Sequence, residues 1–197
     1  FFVGNIMIDS LMQYQDRARK SDILNRIDIE PTEDYALITL HRPSNVDNKE
    51  GLLIILNAFE EISKSINLIF PIHPRTTKQI KAFDLENKVK KMKNLHLIPP
   101  IGYYDFLKLQ MSAKFILTDS GGIQEESTYF GVPCLTLRPN TERPITITEG
   151  TNTLVKLESD DIINEAQKIL SGSIKKGKIP KFWDGKTAQR IVKIFKD

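Results

Sequence analysis

The stretch "FILTDSGGIQEESTYFGVPCLTL", residues 115–137, places an apolar run, two glycines, two glutamates and a second apolar run in succession. Asp119-Ser120-Gly121-Gly122 falls where a strand would turn into a helix. Glycines at such a turn let backbone N–H groups approach an anion, and the helix dipole favours the negative charge. Ser120, Gly121 and Gly122 are therefore candidate phosphate contacts, although paired glycines also serve as plain hinges. The P-loop and G-x-G-x-x-G patterns do not fit, since no Gly-Lys-Ser/Thr follows. Glu126 comes four residues after Gly122, one helical turn further along the same face. A carboxylate there can accept from two neighbouring hydroxyls, as in a ribose diol; the plainer alternative is a favourable charge in a first helical turn. Glu125 is expected to point elsewhere, as a solvated or helix-capping charge. Phosphate at one end and a sugar beside it describe a nucleoside diphosphate, as in a nucleotide-sugar.

Of the eight arginines, Arg42, Arg75, Arg138 and Arg143 fall in the short segments "HRPSN", "HPRT" and "RPNTERP". Arginine's planar fork matches phosphate and carboxylate. Taken singly each could brace a loop; gathered at one place they favour an anionic ligand. Among the three histidines, His41 is the strongest candidate, as a donor to a departing phosphate or as an acid. His73, between Ile72 and Pro74, is either a ligand contact or a loop brace. His96 alternates within a β-rich run and is read as structural or exposed. Three histidines and no cysteine pair offer no metal-ligand spacing.

These residues need a scaffold, and the chain supplies one. Apolar runs at 35–40, 67–72, 94–99, 114–118, 133–137 and 152–155 have strand character. Between the first two, "DNKEGLLIILNAFEEISKSI" spaces its apolar residues by three and four, as an amphipathic helix does. Helices are also predicted over 78–92, 104–113 and 160–170, and from the glycine pair to Phe130, where Gly131 ends the helix. Alternating strands and helices make an α/β fold: a Rossmann-like parallel sheet with helices on both faces. Each of the first five runs is followed by a polar or glycine-rich loop, at the strand ends where such sheets bind ligands.

Composition excludes several classes. The net charge is +3, and the lysine-rich "ENKVKKMKN" carries no aromatic residues to stack on bases, so it reads as a solvated helix face. No apolar stretch approaches the roughly 20 residues that span a bilayer. The single cysteine, Cys134, rules out an internal disulfide and suits a reducing cytoplasm. The opening "FFVGNIMIDSLM" has no initiating methionine and no charged signal-peptide region, so either the start was removed or the chain is a fragment.

Four segments, "TLHRPSNVD", "FPIHPRT", "LTDSGGIQEE" and "TERPITITEGTN", together resemble the non-hydrolysing UDP-N-acetylglucosamine 2-epimerases, in order and in register from "VGNIMIDSL" to "WDGKTAQRI". The resemblance implies a glycosyltransferase-B architecture of two Rossmann-like domains with substrate between them. It implies interconversion of UDP-N-acetylglucosamine and UDP-N-acetylmannosamine without metal or NAD: UDP is eliminated to leave a 2-acetamidoglucal, then added back with the opposite C2 configuration. By motif match Ser120, Gly121 and Gly122 would hold phosphate and Glu126 the ribose hydroxyls. Arg143 would face the nucleotide, and Ile101 and Phe106 in "PIGYYDF" would hold uracil. His41 would stand near the diphosphate and the reacting bond, and Arg42 and His73 near an activating second nucleotide-sugar.

On this resemblance, residues 1–26 form an interdomain linker and helix, 27–180 the UDP-binding domain, and 181–197 a terminal helix that crosses to an amino-terminal domain. That domain would carry the carboxylates that move the C2 proton, so the chain alone is expected to be inactive. A cytoplasmic homodimer acting in cell-surface polysaccharide synthesis is expected of the full-length protein. The alternatives are a nucleotide-sugar glycosyltransferase lobe, an epimerase of a modified sugar, and a non-catalytic nucleotide-sugar sensor.

Overall fold

The apolar runs become strands because both of their faces are covered. In β1 (Tyr35–Thr39), Ala36 and Ile38 point to one side of the sheet and Tyr35 and Leu37 to the other, and all four are buried. Near-continuous hydrophobic strands of this kind belong to parallel sheets sandwiched by helices. A computed structural model of the chain describes residues 1–196; Asp197, the last residue of the expected 181–197 segment, lies outside them.

The chain runs α1 (Ile6–Arg19), α2 (Ile23–Arg26), β1, α3 (Pro43–Val46), α4 (Lys49–Ile62), β2 (Asn67–Pro71), α5 (Pro74–Ala82), α6 (Glu86–Lys91) and β3 (Leu95–Ile98). It continues through α7 (Tyr103–Ser112), β4 (Phe115–Thr118), α8 (Gly121–Phe130), β5 (Cys134–Leu137), α9 (Pro144–Thr148), β6 (Asn152–Val155), α10 (Ser159–Leu170) and α11 (Thr187–Lys196). The strands form one parallel sheet in the order β3-β2-β1-β4-β5-β6. Strand order therefore reverses between β1 and β4, and a ligand crevice opens at such a switch point. The fold is the expected Rossmann-like α/β sheet, with each strand within a residue of its predicted ends.

One face of the sheet packs on α4, α5, α6 and α10 through residues such as Leu52, Phe59, Ile80, Val89 and Ile162. The other packs on α2, α7 and α8, with α1 laid outside α7 by way of Ile8, Leu11 and Leu107. Residues 1–26 thus include a helix with a buried face. Asp9 on α1 accepts from the main-chain N–H groups of Thr187 and Ala188 at 3.1 and 2.8 Å, tying down the start of α11.

The predicted helix over 78–92 is two helices. Asp84 takes φ 58° between them, and Leu85 N–H donates back to the Ile80 carbonyl at 2.9 Å. A left-handed residue closes α5 with a turn that lets α6 leave in a new direction, which apolar spacing alone does not reveal. Gly131 ends α8 at φ 72°, as predicted.

Candidate functional site

Outside the carboxyl ends of β1, β2 and β4 lies a cleft of about 240 Å³ lined by Thr39, His41, His73, Pro100, Ile101, Phe106, Ser120 and Ile123, among others. Five of the predicted site residues, His41, His73, Ile101, Phe106 and Ser120, therefore meet at one opening. Pairing of β1 with both β2 and β4 brings the ends of residues 41, 73 and 120 together. The loop between β3 and α7 adds the apolar wall. The His41 and His73 rings are 5.5 Å apart between centroids, so residues expected to serve different ligands share one cleft.

Ser120, Gly121 and Gly122 form the start of α8. Ser120 makes no side-chain capping bond to the first turn, so the helix presents uncapped backbone donors. A Cβ added at Gly121 or Gly122 would meet nothing within 4 Å, and neither has a positive φ. Neither internal packing nor backbone conformation requires these glycines. What they provide is room for a group lying against the helix start, the arrangement that receives phosphate.

Glu126 lies one turn on and is buried. It does not line the cleft: Tyr103 Oη donates to its Oε1 at 2.9 Å and Gln110 Nε2 to its Oε2 at 2.6 Å. Burial pushes its carboxyl above the usual glutamate range, the two hydrogen bonds oppose the shift, and the nearby Glu125 charge adds to it. Burial beside that carboxylate also pushes the Tyr103 hydroxyl up.

Glu125 is neither solvated nor a cap, contrary to expectation. It is buried, its Oε1 paired with Arg143 Nε at 2.9 Å and accepting from Asn5 Nδ2 at 2.8 Å. The chain just before α1 covers the face of α8 that would otherwise meet water. Burial raises its pKa while Arg143 and Asn5 oppose the rise.

The loop arginines divide. Arg138 grips Glu142 with two bonds of 2.8 and 2.7 Å, holding that carboxyl down at about 2, and so braces its loop. Arg75 lies 3.5 Å from Asp47. Arg143 pairs with Glu125 on one side while its side chain stays 44% exposed. Arg42 donates through Nε to the Asp119 carbonyl at 2.8 Å, and among the described residues its terminal nitrogens have no hydrogen-bond partner.

Three residues that hold the site together were not singled out from sequence. Tyr103 and Gln110 secure Glu126. Asp119, fully buried at the end of β4, accepts from the main-chain N–H groups of His41 and Arg42 and from Asn45, and its Oδ1 lies 3.1 Å from His41 Nδ1. The signal for Asp119 was its place, a strand-end carboxylate between an apolar run and the glycine pair. Among the described residues no group of three or more His, Cys, Asp or Glu side chains is placed to hold a metal ion, and no helix is long and apolar enough to cross a membrane.

A model of the family described as UDP-N-acetylglucosamine 2-epimerase matches residues 1–196. The chain belongs to that family. UDP-N-acetylglucosamine 2-epimerase of Methanocaldococcus jannaschii is 44% identical over 200 residues, 98% of this chain and 54% of that protein. A crystal structure of the M. jannaschii UDP-GlcNAc 2-epimerase in complex with UDP-GlcNAc and UDP aligns with a TM-score of 0.88 at 43% identity, covering 100% of this chain and 54% of that one. UDP-2,3-diacetamido-2,3-dideoxy-D-glucuronate 2-epimerase of Pseudomonas aeruginosa is 34% identical over 173 residues, 87% of this chain and 46% of that protein. The chain spans about half the length of the 2-epimerases it matches.

Proposed function

We propose that this chain is the UDP-binding lobe of an enzyme that interconverts UDP-N-acetylglucosamine and UDP-N-acetylmannosamine, one of two Rossmann-like lobes in a glycosyltransferase-B arrangement. The observation that carries the proposal is the cleft at the β1–β4 switch point, where His41, Ser120, Ile101 and Phe106 converge beside an uncapped helix start. The diphosphate lies against Ser120, Gly121 and Gly122, with Arg143 contributing charge. Uracil rests on Ile101 and Phe106. Glu126 takes the ribose hydroxyls once Tyr103 shares or yields its place on the carboxylate. His41 stands at the diphosphate beside the bond that breaks, and Arg42 and His73 face an activating second nucleotide-sugar.

The relatives support a lobe that reads the nucleotide. The M. jannaschii and P. aeruginosa enzymes are both 2-epimerases of UDP-sugars, yet their names carry different sugars. What the two names share is UDP and the position of the inversion. An epimerase of a modified UDP-sugar is accordingly the second reading, and the P. aeruginosa relative is what favours it.

In the reaction implied by family membership, UDP leaves C1 as the C2 proton is removed, giving the 2-acetamidoglucal, and returns as a proton is delivered to the other face of C2. No metal or NAD takes part. The carboxylates that move the C2 proton belong to the family's other lobe, so this chain by itself binds without turnover. The full-length enzyme acts as a homodimer in the cytoplasm, supplying cell-surface polysaccharide synthesis; the single buried Cys134 suits that compartment.

Calorimetry of this chain with UDP, UDP-N-acetylglucosamine and ADP tests the assignment. UDP and the UDP-sugar should bind and ADP should not. Equal binding of ADP, or no binding of UDP, overturns it. Incubation with UDP-N-acetylglucosamine in deuterated water should show neither C2 inversion nor deuterium uptake by NMR.

A further inference from the structure

Asp119 ends β4 with its carboxylate reaching across the switch point to the first residues after β1. Its Oδ2 accepts from Arg42 N at 2.9 Å, His41 N at 3.1 Å and Asn45 Nδ2 at 3.2 Å. Its Oδ1 lies 3.1 Å from His41 Nδ1 and 3.2 Å from His41 N. An ionised carboxylate can only accept, so a hydrogen bond across this contact requires the proton on Nδ1. With the proton there, a neutral His41 ring keeps its lone pair on Nε2, and His41 lines the cleft.

His73 is held the opposite way. As the N-cap of α5 its Nδ1 accepts from Arg75 N at 3.1 Å, so the proton of its neutral ring is on Nε2. These contacts set opposite tautomers for two imidazoles 5.5 Å apart, each through a neighbour outside the cleft. The nitrogen that a histidine uses is set by the bond its other nitrogen makes.

We infer that Asp119 is a positioning residue: it fixes His41 as the Nδ1–H tautomer, so that an Nε2 acceptor from His41 stands beside an Nε2–H donor from His73. The inference goes beyond the nucleotide reading, since Asp119 acts through His41 without touching a ligand. Its use at the diphosphate rests on that reading; the tautomer itself does not. Asp119→Asn reverses the polarity. Oδ2, with its three donors, holds the place of the amide oxygen, and the amide NH2 turns to Nδ1. His41 must then accept at Nδ1 and carry its proton on Nε2. The same exchange at a catalytic aspartate is known to leave geometry intact while installing the wrong tautomer.

Nitrogen-15 NMR of the histidine side chains in this chain decides the matter, at about pH 9 where histidine rings are ordinarily neutral. Three histidines are few enough to assign by His73→Gln and His96→Gln. In the wild type, His41 should show a protonated Nδ1 and an unprotonated Nε2, and His73 the reverse. In Asp119→Asn the His41 pattern should invert while His73 stays as it was. A wild-type His41 protonated on Nε2 overturns the inference without any variant being needed. A His41 pattern unchanged in folded Asp119→Asn overturns it as well. Because no nucleotide is present, the outcome is independent of whether UDP binds.

Discussion

Two regions of this chain reverse the usual distribution of side chains, in opposite senses. At the mouth of the sheet, Asp119, Glu125 and Glu126 are buried. On the face formed by the start of α1 and by α11, Phe1, Phe2, Met7, Val192 and Phe195 are exposed. Carboxylates are seldom buried unless partnered, and these three are: Asp119 by main-chain N–H groups and His41, Glu125 by Arg143 and Asn5, Glu126 by Tyr103 and Gln110. The exposed apolar residues have no comparable cover. The mouth satisfies its own buried charges, while the terminal face leaves apolar side chains open.

The mouth itself has a rigid side and an adjustable side, and the largest expected effect lies on the rigid one. Asp119→Ala leaves the main-chain donors of His41 and Arg42 without their acceptor and Asn45 with only the Leu137 carbonyl. Orphaned donors cost roughly 1–3 kcal/mol each, so unfolding in urea should show a loss of about 3 kcal/mol. A loss well below 1 kcal/mol would mean that water replaces the carboxylate, and the loops after β1 and β4 would then not be locked together.

On the adjustable side Glu126 has only neutral donors, and its effect should appear in ligand binding. A hydrogen bond to a charged group contributes about 1.5–3 kcal/mol, so Glu126→Ala should weaken UDP binding roughly ten- to hundredfold. The preference for UDP over 2′-deoxy-UDP should vanish with it; a preserved preference removes Glu126 from the ribose. Protonation offers a finer check. Burial favours the protonated form of Glu126 in the free chain, whereas two ribose hydroxyls donating to it, as proposed, would favour the ionised form. Binding therefore releases a proton in the window just above the ordinary glutamate pKa, and affinity should rise with pH across that window. Glu126→Gln should lose this part of the pH dependence, and identical slopes for the two proteins would count against the contact.

The fate of the glutamates shows what the sequence made legible. Strand runs and glycine punctuation were enough for the sheet, because a strand buried on both faces is a continuous apolar run wherever it lies in the sheet order. The adjacency of β1 and β4 is a property of topology, and with it the contact of Asp119 with the His41 ring. No local pattern states it. Glu125 was misjudged because a helix reading assigns outward faces to water. In the fold, the segment entering α1 covers that face, from 120 residues away along the chain. Arg138 was grouped with the ligand-facing arginines by position, but Glu142, four residues on, takes both ends of its fork.

A smaller effect is expected from Glu125 itself. It should serve the site only by steadying Arg143, in a pair whose arginine is 44% exposed. Partly exposed ion pairs contribute about 0–1 kcal/mol, and loss of the negative charge beside the proposed diphosphate position works in the other direction. Glu125→Gln should therefore change UDP affinity by about threefold at most and leave the 2′-hydroxyl preference intact. If it matches Glu126→Ala in either respect, the two carboxylates share one task and the contrast between them fails.

The least effect within this chain should come from the terminal face. Val192 is 52% exposed and Phe195 86%, and surface substitutions away from special features stay within about 0.5 kcal/mol. The double change Val192→Ser, Phe195→Ser should thus leave the urea midpoint of this chain almost unmoved. The same change in a full-length protein should behave otherwise if α11 crosses to the second lobe, as the family resemblance implies. Burying a phenylalanine contributes about 1.5–3 kcal/mol, and removing it there should cost a comparable amount. A neutral result in both contexts would leave α11 as an ordinary surface helix with apolar residues on its outer side. A clear loss in this chain alone would mean that the helix packs on its own lobe more tightly than its exposure indicates, and the two regions would no longer stand in contrast.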